Sequence, residues 1–508
     1  MTDATPNQTQ EMEDICAIFV HAGAGFHSYE NEGKHLLACK HAVRAGMVFL
    51  RNGATAVDAV EMAITSLEDA PITNCGYGSN LNAEGVVEAD ASIVDHFGRS
   101  GAVGAVPNIK NPIMAARKIY DQSYTLPGMS RVPPNLLVGD GASHFAWNNG
   151  VVIVPHEALI TPSTKERWKT WKQEISDWEL KYPESNSKGD EKNPCIRRAG
   201  DHLKTHIART FEDLNGQTKV HTELSSMHKA VETSDVEMVD MSSSSTASPR
   251  PRNGKSHQHT SEAVLPNKEP QNGDDPKPHS AKGSSLFGNS LGGDSITDTV
   301  GAIAVDRYGN IAAGSSSGGI GMKHHGRVGP AALIGIGTHV IPVDPADPDQ
   351  TCVASVTSGT GEHIASTLAA STSADRVYFC QKSVGNGLSE QVTEQEALEA
   401  MITNEFSGHP ALQNNDVKGS IGVMTVKKTK DSIELCFSHN TDSFALASMS
   451  SNDSLPKALM SRKPKRSSKV ATGGLMIRPR QSIRAPRAST SPTEKKARKK
   501  KRQSSQSP

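Results

Sequence analysis

A Ser-, Pro- and Lys-rich segment meets an apolar strand at the dipeptide Asp298-Thr299. The strand that follows, "VGAIAV", is rich in β-branched residues, so Thr299 stands at its start. If the peptide bond before Thr299 were cut, this residue would carry a nucleophilic hydroxyl and a free α-amine. An α-amino group has an unperturbed pKa of about 7.7–8.0, so the neutral amine could accept the hydroxyl proton. The same hydroxyl could first attack the Asp298 carbonyl and open its own chain.

An isolated Asp-Thr pair is weak evidence, because a threonine that merely opens a strand is the ordinary case. Seven sequence blocks in a fixed order change that judgement: "HAGAG" (21–25), "TNCGYGSNLN" (73–82), "EADASIVD" (88–95), "GAVGAVPNIKNPI" (101–113), "DTVGAIAVD" (298–306), "SSSGGIGMKHHGRVG" (315–329) and "TSGTGEH" (357–363). Together they resemble the type 2 asparaginase family of N-terminal-nucleophile hydrolases, and most closely its threonine aspartase (taspase) branch. The resemblance covers about 15–150 and 296–445.

This resemblance implies an α+β fold, a four-layer αββα sandwich, and a precursor that cleaves itself between Asp298 and Thr299. By position, Thr299 is the expected nucleophile and Ser317 the second hydroxyl that supports it. Arg327 is the expected ligand of a substrate carboxylate. Ser358 and Gly359 match the oxyanion-hole segment, where preorganised donors stabilise the tetrahedral intermediate.

The residue types agree with these implied roles. Arginine suits a carboxylate because its planar fork donates two parallel hydrogen bonds. Glycine at 318, 319 and 359 lets the backbone approach a substrate closely. Taken singly, Arg327 could equally form a surface ion pair, Ser317 could be a loop hydroxyl and Gly359 a turn. "HAGAG" could be a phosphate-binding turn, but it lacks the spacing of a dinucleotide or P-loop motif.

Three further positions bear on the substrate. Asparaginases of this family continue "GRVG" with an aspartate that holds the amino group of free asparagine, whereas this chain has Pro330. A proline offers no counter-charge, so aspartate within a polypeptide is the expected substrate. A second carboxylate ligand is expected in 28–35, where Lys34 is the candidate. Asn74 and Asn80 are expected to shape loops near the site, as turn residues or by direct contact.

The leading hypothesis is a threonine endopeptidase that cleaves other proteins after aspartate. A small-molecule hydrolase acting on asparagine, isoaspartyl dipeptides or glycosylasparagine is the alternative within the same fold. A non-catalytic nuclear scaffold with a nucleic-acid-binding tail is the alternative of another class. We expect no cofactor, because the sequence contains no metal-ligand cluster. We also expect an αβ or (αβ)₂ assembly, from the resemblance, and no contact with membranes.

The elements around these residues alternate between apolar helices and strands, which suggests packed sheets with helices outside. Helices are predicted over 34–53 and 55–69, the second with Thr55 as cap and Asp58 at the capping-box position. A third helix begins with Asn111 as cap and Pro112 at its first position. Residues 307–309 are predicted to join two strands as a tight hairpin.

Composition divides the chain into folded and unfolded parts. Only 35% of the residues are hydrophobic and the mean hydropathy is −0.47. Disorder is therefore expected in 1–14, in a polar insert over 183–297 and in a tail over 448–508, leaving 15–182 and 299–447 as the two parts of one hydrolase domain. The insert would let a newly freed chain end withdraw from the site.

The charge is also divided. Of 54 basic and 55 acidic residues, 17 and one, respectively, lie in 454–508, so the rest of the chain holds 37 basic against 54 acidic. The runs "RKPKR" (462–466) and "KKARKKKR" (495–502) favour nuclear import over nucleic-acid binding, because no aromatic residue is interleaved for base stacking. We therefore expect a nuclear protein whose substrates include regulators of transcription.

Overall fold

The computed structural model describes residues 15–124, 129, 131–181, 299–414, 417–464 and 470–478. The chain divides into two compact units, Met1–Glu174 with Gly283–Pro508, and Ile175–Lys282. Of the second unit, only the helical residues 175–181 are described. The predicted N-terminal disorder and the insert over 183–297 lie outside the described residues, so both stay predictions. All the described strands belong to the first unit.

The described residues form fifteen strands: β1 Ala17–Gly25, β2 Ala89–Val94, β3 Ser100–Val106, β4 Leu136–Val138, β5 Val300–Val305, β6 Ile311–Ser317, β7 Thr338–Ile341, β8 Cys352–Gly359, β9 Gln381–Gly385, β10 Leu388–Gln391, β11 Ile421–Lys428, β12 Ile433–His439, β13 Ser443–Ser450, β14 Lys457–Arg462 and β15 Ala471–Ile477. The first sheet has the order β14-β13-β1-β5-β6-β2-β3-β4. The second has the order β15-β12-β11-β8-β7, and β9 and β10 pair separately. Except for β3 with β4, all pairs are antiparallel.

The α-helices in the described residues are α1 Glu32–Arg51, α2 Ala56–Glu68, α3 Pro112–Gln122, α4 Gly139–Asn148, α5 Pro162–Lys181, α6 Gly361–Ser366, α7 Ala369–Phe379, α8 Glu394–Ala400 and α9 Pro410–Gln413. α8 continues directly into a π-helical segment, Met401–Phe406. The predicted 307–309 hairpin joins β5 to β6.

Three apolar clusters show the layer order. One lies between the two sheets and includes Phe19, Val356 and Phe444. A second packs α1, α2, α3 and α4 on the outer face of the first sheet. A third packs α7 and α8 on the outer face of the second sheet. The order helices, sheet, sheet, helices is a mixed α and β architecture, in agreement with the layers that the resemblance implied.

Strand alternation decides which residues of β6 enter the space between the sheets. Ile311 and Ala313 belong to the cluster between the sheets, whereas Ala312 packs toward the helices. Successive side chains of a strand point to opposite faces. Ser315 and Ser317 therefore face the second sheet, and Ser316 faces the helices.

Two helix starts can be compared with their predicted caps. Thr55 caps α2, since its hydroxyl accepts from Asp58 N and the Asp58 carboxylate accepts from Thr55 N, so the predicted capping box is confirmed. Pro112 is the first residue of α3, also as predicted. Asn111 makes no side-chain cap, because its amide donates instead to Asp69 Oδ1 at 3.1 Å.

The prediction of a disordered tail over 448–508 is wrong for residues 448–462 and 471–477. β14 extends the first sheet beside β13, and β15 extends the second beside β12. Polar edge strands carry little apolar periodicity, which is why composition misplaced them. Arg462, the first residue of the predicted import run 462–466, ends β14 and pairs with Glu32 at 2.6 Å. The second run, 495–502, lies outside the described residues.

In the described part of the chain, no helix is both long and apolar enough to cross a membrane.

A buried acid, Glu68, joins α2 to the first sheet. Its Oε1 accepts from Ser316 Oγ at 2.7 Å and from Ile113 N at 3.0 Å. Burial raises the pKa of Glu68 to about 8, although these two hydrogen bonds favour the charged form. The native protein therefore holds a proton on Glu68 at neutral pH.

We predict that Glu68→Gln removes part of the pH dependence of stability. Between the unfolded pKa of Glu68 and about 8, the native state binds the proton and the unfolded state releases it, so this group stabilises less as pH rises. The free energy of unfolding of the parent, relative to the variant, should fall by roughly 2–4 kcal/mol from pH 5 to pH 8. Urea denaturation in the uncut Thr299→Ala background measures this, and parallel pH curves would contradict it.

Candidate active site

The strand pair β5 and β6 brings the two predicted hydroxyl residues together. Thr299 directly precedes β5 and is 5% exposed. Val300 lies opposite Ser316 in the antiparallel register, so Thr299 lies beside Ser317 at the same end of the two strands. Both sit where the first sheet faces the second, a place from which bulk water is largely excluded.

The turn after Ser317 is held by the two predicted loop-shaping asparagines. Ser317 Oγ accepts from Gly319 N at 3.0 Å. The amides of Asn74 and Asn80 both donate to Gly319 O, at 2.8 and 3.1 Å. Gly318 N donates to Asn74 O at 2.8 Å. The asparagines therefore position the turn that carries Gly319 through direct hydrogen bonds to its backbone.

The first part of α5 supports the same loops, a role that sequence reasoning missed. Arg167 Nη2 donates to Asn80 Oδ1 at 3.1 Å, and Trp168 Nε1 donates to Asn82 O at 2.9 Å. The Trp171 ring packs so closely on Gly321 that a side chain there would collide with it. Two tryptophans, Trp168 and Trp171, in the otherwise polar first part of this helix were the available signal.

Arg327 lies at one end of this loop system and is 15% exposed at its side chain. Its Nε and Nη2 both donate to Glu362 Oε1, at 2.9 and 2.8 Å. Within the described residues, Glu362 is the acceptor for this guanidinium. The predicted substrate ligand is therefore engaged along one edge by a carboxylate of the chain itself.

Three glycines surround the rest of the guanidinium. A Cβ at Gly329 would lie 2.7 Å from Arg327 Nη1, and one at Gly319 would lie 3.2 Å from it. A Cβ at Gly361 would collide with Nη2. Gly319 thus contacts both Arg327 and Ser317, so the predicted carboxylate ligand and the second hydroxyl belong to one site. The absence of side chains at these glycines lets the backbone approach Nη1 and Nη2 of Arg327 closely.

Pro330 follows Gly329 and opens a short 3₁₀ helix, Pro330–Ala332. It is buried, and its Cδ would lie 2.9 Å from a Cβ at Gly361. The ring therefore packs beside the same glycine as Arg327. No counter-charge for an ammonium group comes from position 330 itself.

Three buried charged residues lie near Arg327 and were not predicted from the sequence as site residues: Glu88, Asp90 and Lys323. Lys323 Nζ donates to Glu88 O at 2.6 Å. Asp90, opposite Ser317 in the pairing of β2 with β6, accepts from Ala105 N at 2.9 Å and Gly329 N at 2.8 Å. Burial raises the pKa of Asp90, and Lys323 acts against that shift. A lysine four residues before Arg327 in one Gly-rich motif was the available signal.

Ser358 and Gly359 end β8, opposite β11 in the second sheet. Ser358 is buried, and its Oγ accepts from Ala24 N of the "HAGAG" block at 3.0 Å. Gly359 has φ +139°, and a side chain there would collide with Ser420 O. The geometry joins two sequence blocks and requires glycine at 359, while the predicted oxyanion role stays a prediction.

His21 of the same block lies close to Thr299. It pairs opposite Gly301 in β5, and a Cβ at Gly301 would collide with its ring. Burial lowers the pKa of His21 to about 3. The nearby Thr299 backbone opposes this shift, although neither ring nitrogen of His21 forms a hydrogen bond with the described residues. The ring is therefore neutral at physiological pH and places no positive charge beside Thr299.

Lys34, the candidate second carboxylate ligand, lies in the first turn of α1. It is exposed, and its Nζ donates to Asn31 Oδ1 at 2.9 Å. The described hydrogen bonds do not bring Lys34 together with Arg327, so its assignment stays a prediction. Among the described residues, no group of three or more His, Cys, Asp or Glu side chains is arranged to hold a metal ion.

Several known proteins are similar to this chain in sequence. The type 2 asparaginase family model, described as Asparaginase, matches residues 15–200 and 214–434. The isoaspartyl peptidase/L-asparaginase of Danio rerio is 41% identical over 155 residues, which are 30% of this chain and 46% of that protein. The Rattus norvegicus protein of the same name is 36% identical over 201 residues, 39% and 54% of the two chains. A plant-type L-asparaginase of Pyrococcus horikoshii is 41% identical over 170 residues, 33% and 52%.

The chain spans about half the length of the curated relatives it matches. Their names correspond to the small-molecule alternative more closely than to an endopeptidase. The family model covers most of the chain and includes every block quoted above. The chain belongs to the type 2 asparaginase family.

Proposed function

We propose that this chain is an N-terminal-nucleophile hydrolase in which Thr299 is the nucleophile and Arg327 binds a carboxylate of the substrate. The observation that carries the proposal is the position of Ser317: the pairing of β5 with β6 sets this residue beside Thr299, and the turn that follows it brings Gly319 close to Arg327. A nucleophile and a carboxylate ligand joined through so few residues suit a substrate with a carboxylate near its scissile bond.

The reaction would begin in the precursor. Thr299 Oγ attacks the Asp298 carbonyl, its proton passes to the departing Thr299 nitrogen, and the resulting ester is hydrolysed by water. The freed α-amine of Thr299 then takes the proton of the same hydroxyl as this attacks a substrate carbonyl, and it passes the proton to the leaving nitrogen, so that the C–N bond breaks, the amine product departs and an acyl-enzyme remains. Ser317 Oγ, oriented by Gly319 N, is placed to hydrogen-bond the nucleophile. Water finally hydrolyses the acyl-enzyme and returns the hydroxyl.

For the substrate we propose aspartate within a polypeptide, cleaved on its carboxyl side. Support comes from Pro330, which packs beside Arg327 and Gly361 and brings no carboxylate to receive a free α-amino group. An internal aspartate has no such group. We propose further that the protein substrates are nuclear, on the strength of the basic runs of the sequence.

The alternative, hydrolysis of free asparagine or an isoaspartyl dipeptide, is favoured by one feature of the site. Glu362 places a carboxylate directly beside Arg327, and its side chain is 60% exposed. That carboxylate could receive an ammonium group in place of the missing charge at 330. The names of the relatives point the same way.

Substrate turnover separates the two proposals. We expect the mature protein to cleave a peptide with one internal aspartate, while free asparagine and an isoaspartyl dipeptide are turned over at least about a hundredfold less efficiently in kcat/KM, about 2.7 kcal/mol of discrimination. Mass spectrometry of the peptide products and an assay for released ammonia measure these rates. The same peptide with asparagine replacing aspartate, and the Thr299→Ala protein, are the controls. Efficient turnover of free asparagine without peptide cleavage would overturn the endopeptidase proposal.

We predict that Gly361→Ala weakens substrate binding while the fold survives. The added methyl group would collide with Arg327 Nη2 and press on Pro330, so the guanidinium must move. KM for the aspartate peptide should rise about tenfold or more, a cost of at least about 1.4 kcal/mol. Gly141→Ala is the matched control, because Gly141 is also helical and a Cβ there has open space. Equal kinetics for the two variants would contradict the role of the glycines.

A further inference from the structure

Glu362 holds one defined edge of the Arg327 guanidinium. Its Oε1 accepts from Nε at 2.9 Å and from Nη2 at 2.8 Å. A guanidinium has five N–H donors in a fixed fork, so three remain after these two bonds. They are the two hydrogens on Nη1 and one on Nη2, and the pair that points away from the stem, one from each nitrogen, forms the terminal edge of the fork.

Among the described residues the terminal edge donates to no second hydrogen-bond partner; it lies beside the glycines, with Asp90 Oδ2 near Gly329 and Lys323 Nζ near Gly319. Nη1 is the nearest atom that a Cβ at Gly329 would meet and among the nearest for Gly319, and Nη2 is the nearest for Gly361. A carboxylate could approach this edge and accept two parallel hydrogen bonds. Rotation of the guanidinium about its stem would change the direction in which this edge donates.

We propose that Glu362 is a positioning residue that locks the Arg327 guanidinium by its side edge, so that the terminal edge selects a carboxylate on the substrate. Arg327 makes the contact, and Glu362 acts through it. Glu362 thereby contributes to substrate specificity, a role that was not predicted from the sequence.

The charge of Glu362 suits that task. Burial acts to raise the pKa of Glu362, but the charge and hydrogen bonds of Arg327 outweigh burial and hold the pKa below its usual value. The carboxylate is therefore ionised across the neutral range. Its backbone lies in the first turn of α6, beside Gly361.

The opposite role would be competition, in which Glu362 occupies the guanidinium until a substrate carboxylate displaces it. The two roles predict opposite results when the charge is removed. A positioning residue strengthens carboxylate binding, so its loss weakens the complex. A competitor weakens binding, so its loss strengthens the complex.

The inference rests on the proposed function, so the test measures binding instead of turnover. Two acetylated peptides are titrated calorimetrically into the mature protein, one ending in aspartate, as a product of the proposed cleavage would, and one ending in asparagine. Both carry the same terminal carboxylate, so their affinity ratio reports on the side-chain carboxylate alone.

We expect the wild-type protein to prefer the aspartate peptide and Glu362→Gln to bind it about tenfold more weakly, because an Arg side chain freed from its partner must be ordered again on binding. Affinity for the asparagine peptide should not change. Glu362→Asp, which keeps the charge, should restore part of the preference. Glu405→Gln is the matched control, since Glu405 forms a two-bond pair with Arg376 at 2.8 and 2.8 Å.

Three results would overturn the inference. Equal losses for both peptides would show a general structural effect. Tighter binding of the aspartate peptide by Glu362→Gln would show competition. A wild-type protein without preference for aspartate would show that Arg327 is not selecting a side-chain carboxylate. If the aspartate preference and its loss are observed but the wild type cleaves no aspartate peptide, the endopeptidase proposal fails and the role of Glu362 stands.

Discussion

The antiparallel pairing of β5 with β6 is the constraint on which the site depends. It sets Thr299 beside Ser317, and strand alternation turns Ser317 toward the second sheet. The apolar cluster between the sheets, with Ile303, Val356 and Phe444, buries the same strands and keeps the register from slipping. A one-residue slip would exchange the faces of β6. The same strand register is therefore required both for the packing of the sandwich and for the placement of the hydroxyls.

The buried charged side chains of the site are stabilised by hydrogen bonds to the backbone. Asp90 is fully buried yet accepts two backbone N–H groups, and Lys323 donates to a backbone carbonyl. An ionised group without such bonds would cost several kcal/mol to bury. Arg327 differs, since only one edge of its guanidinium is engaged by the described residues. The terminal edge of this guanidinium, which can donate two parallel hydrogen bonds to a carboxylate, is the part of the site expected to meet a ligand.

Sequence reasoning reached the features that lie within one motif. The strand after Thr299, the capping box of Thr55 and Asp58 and the close approach of Gly319 all follow from neighbouring residues. It missed partners that meet only through folding. Glu362 reaches Arg327 across 35 positions and Arg167 reaches Asn80 across 87. Composition predicts disorder where the structure has β14 and β15, because polar edge strands depend on their neighbours for stability rather than on their own apolar content.

The central claim is that the chain opens itself at Thr299, and the intact mass of the purified protein under denaturing conditions tests it most directly. The account predicts two chains, 1–298 and 299–508, the second beginning Thr-Val-Gly-Ala, and a single uncut chain for Thr299→Ala. Thr299→Ser, which keeps a hydroxyl, should still be cut, more slowly. A wild-type protein that remains one chain of 508 residues and still cleaves aspartate-containing peptides would contradict the account.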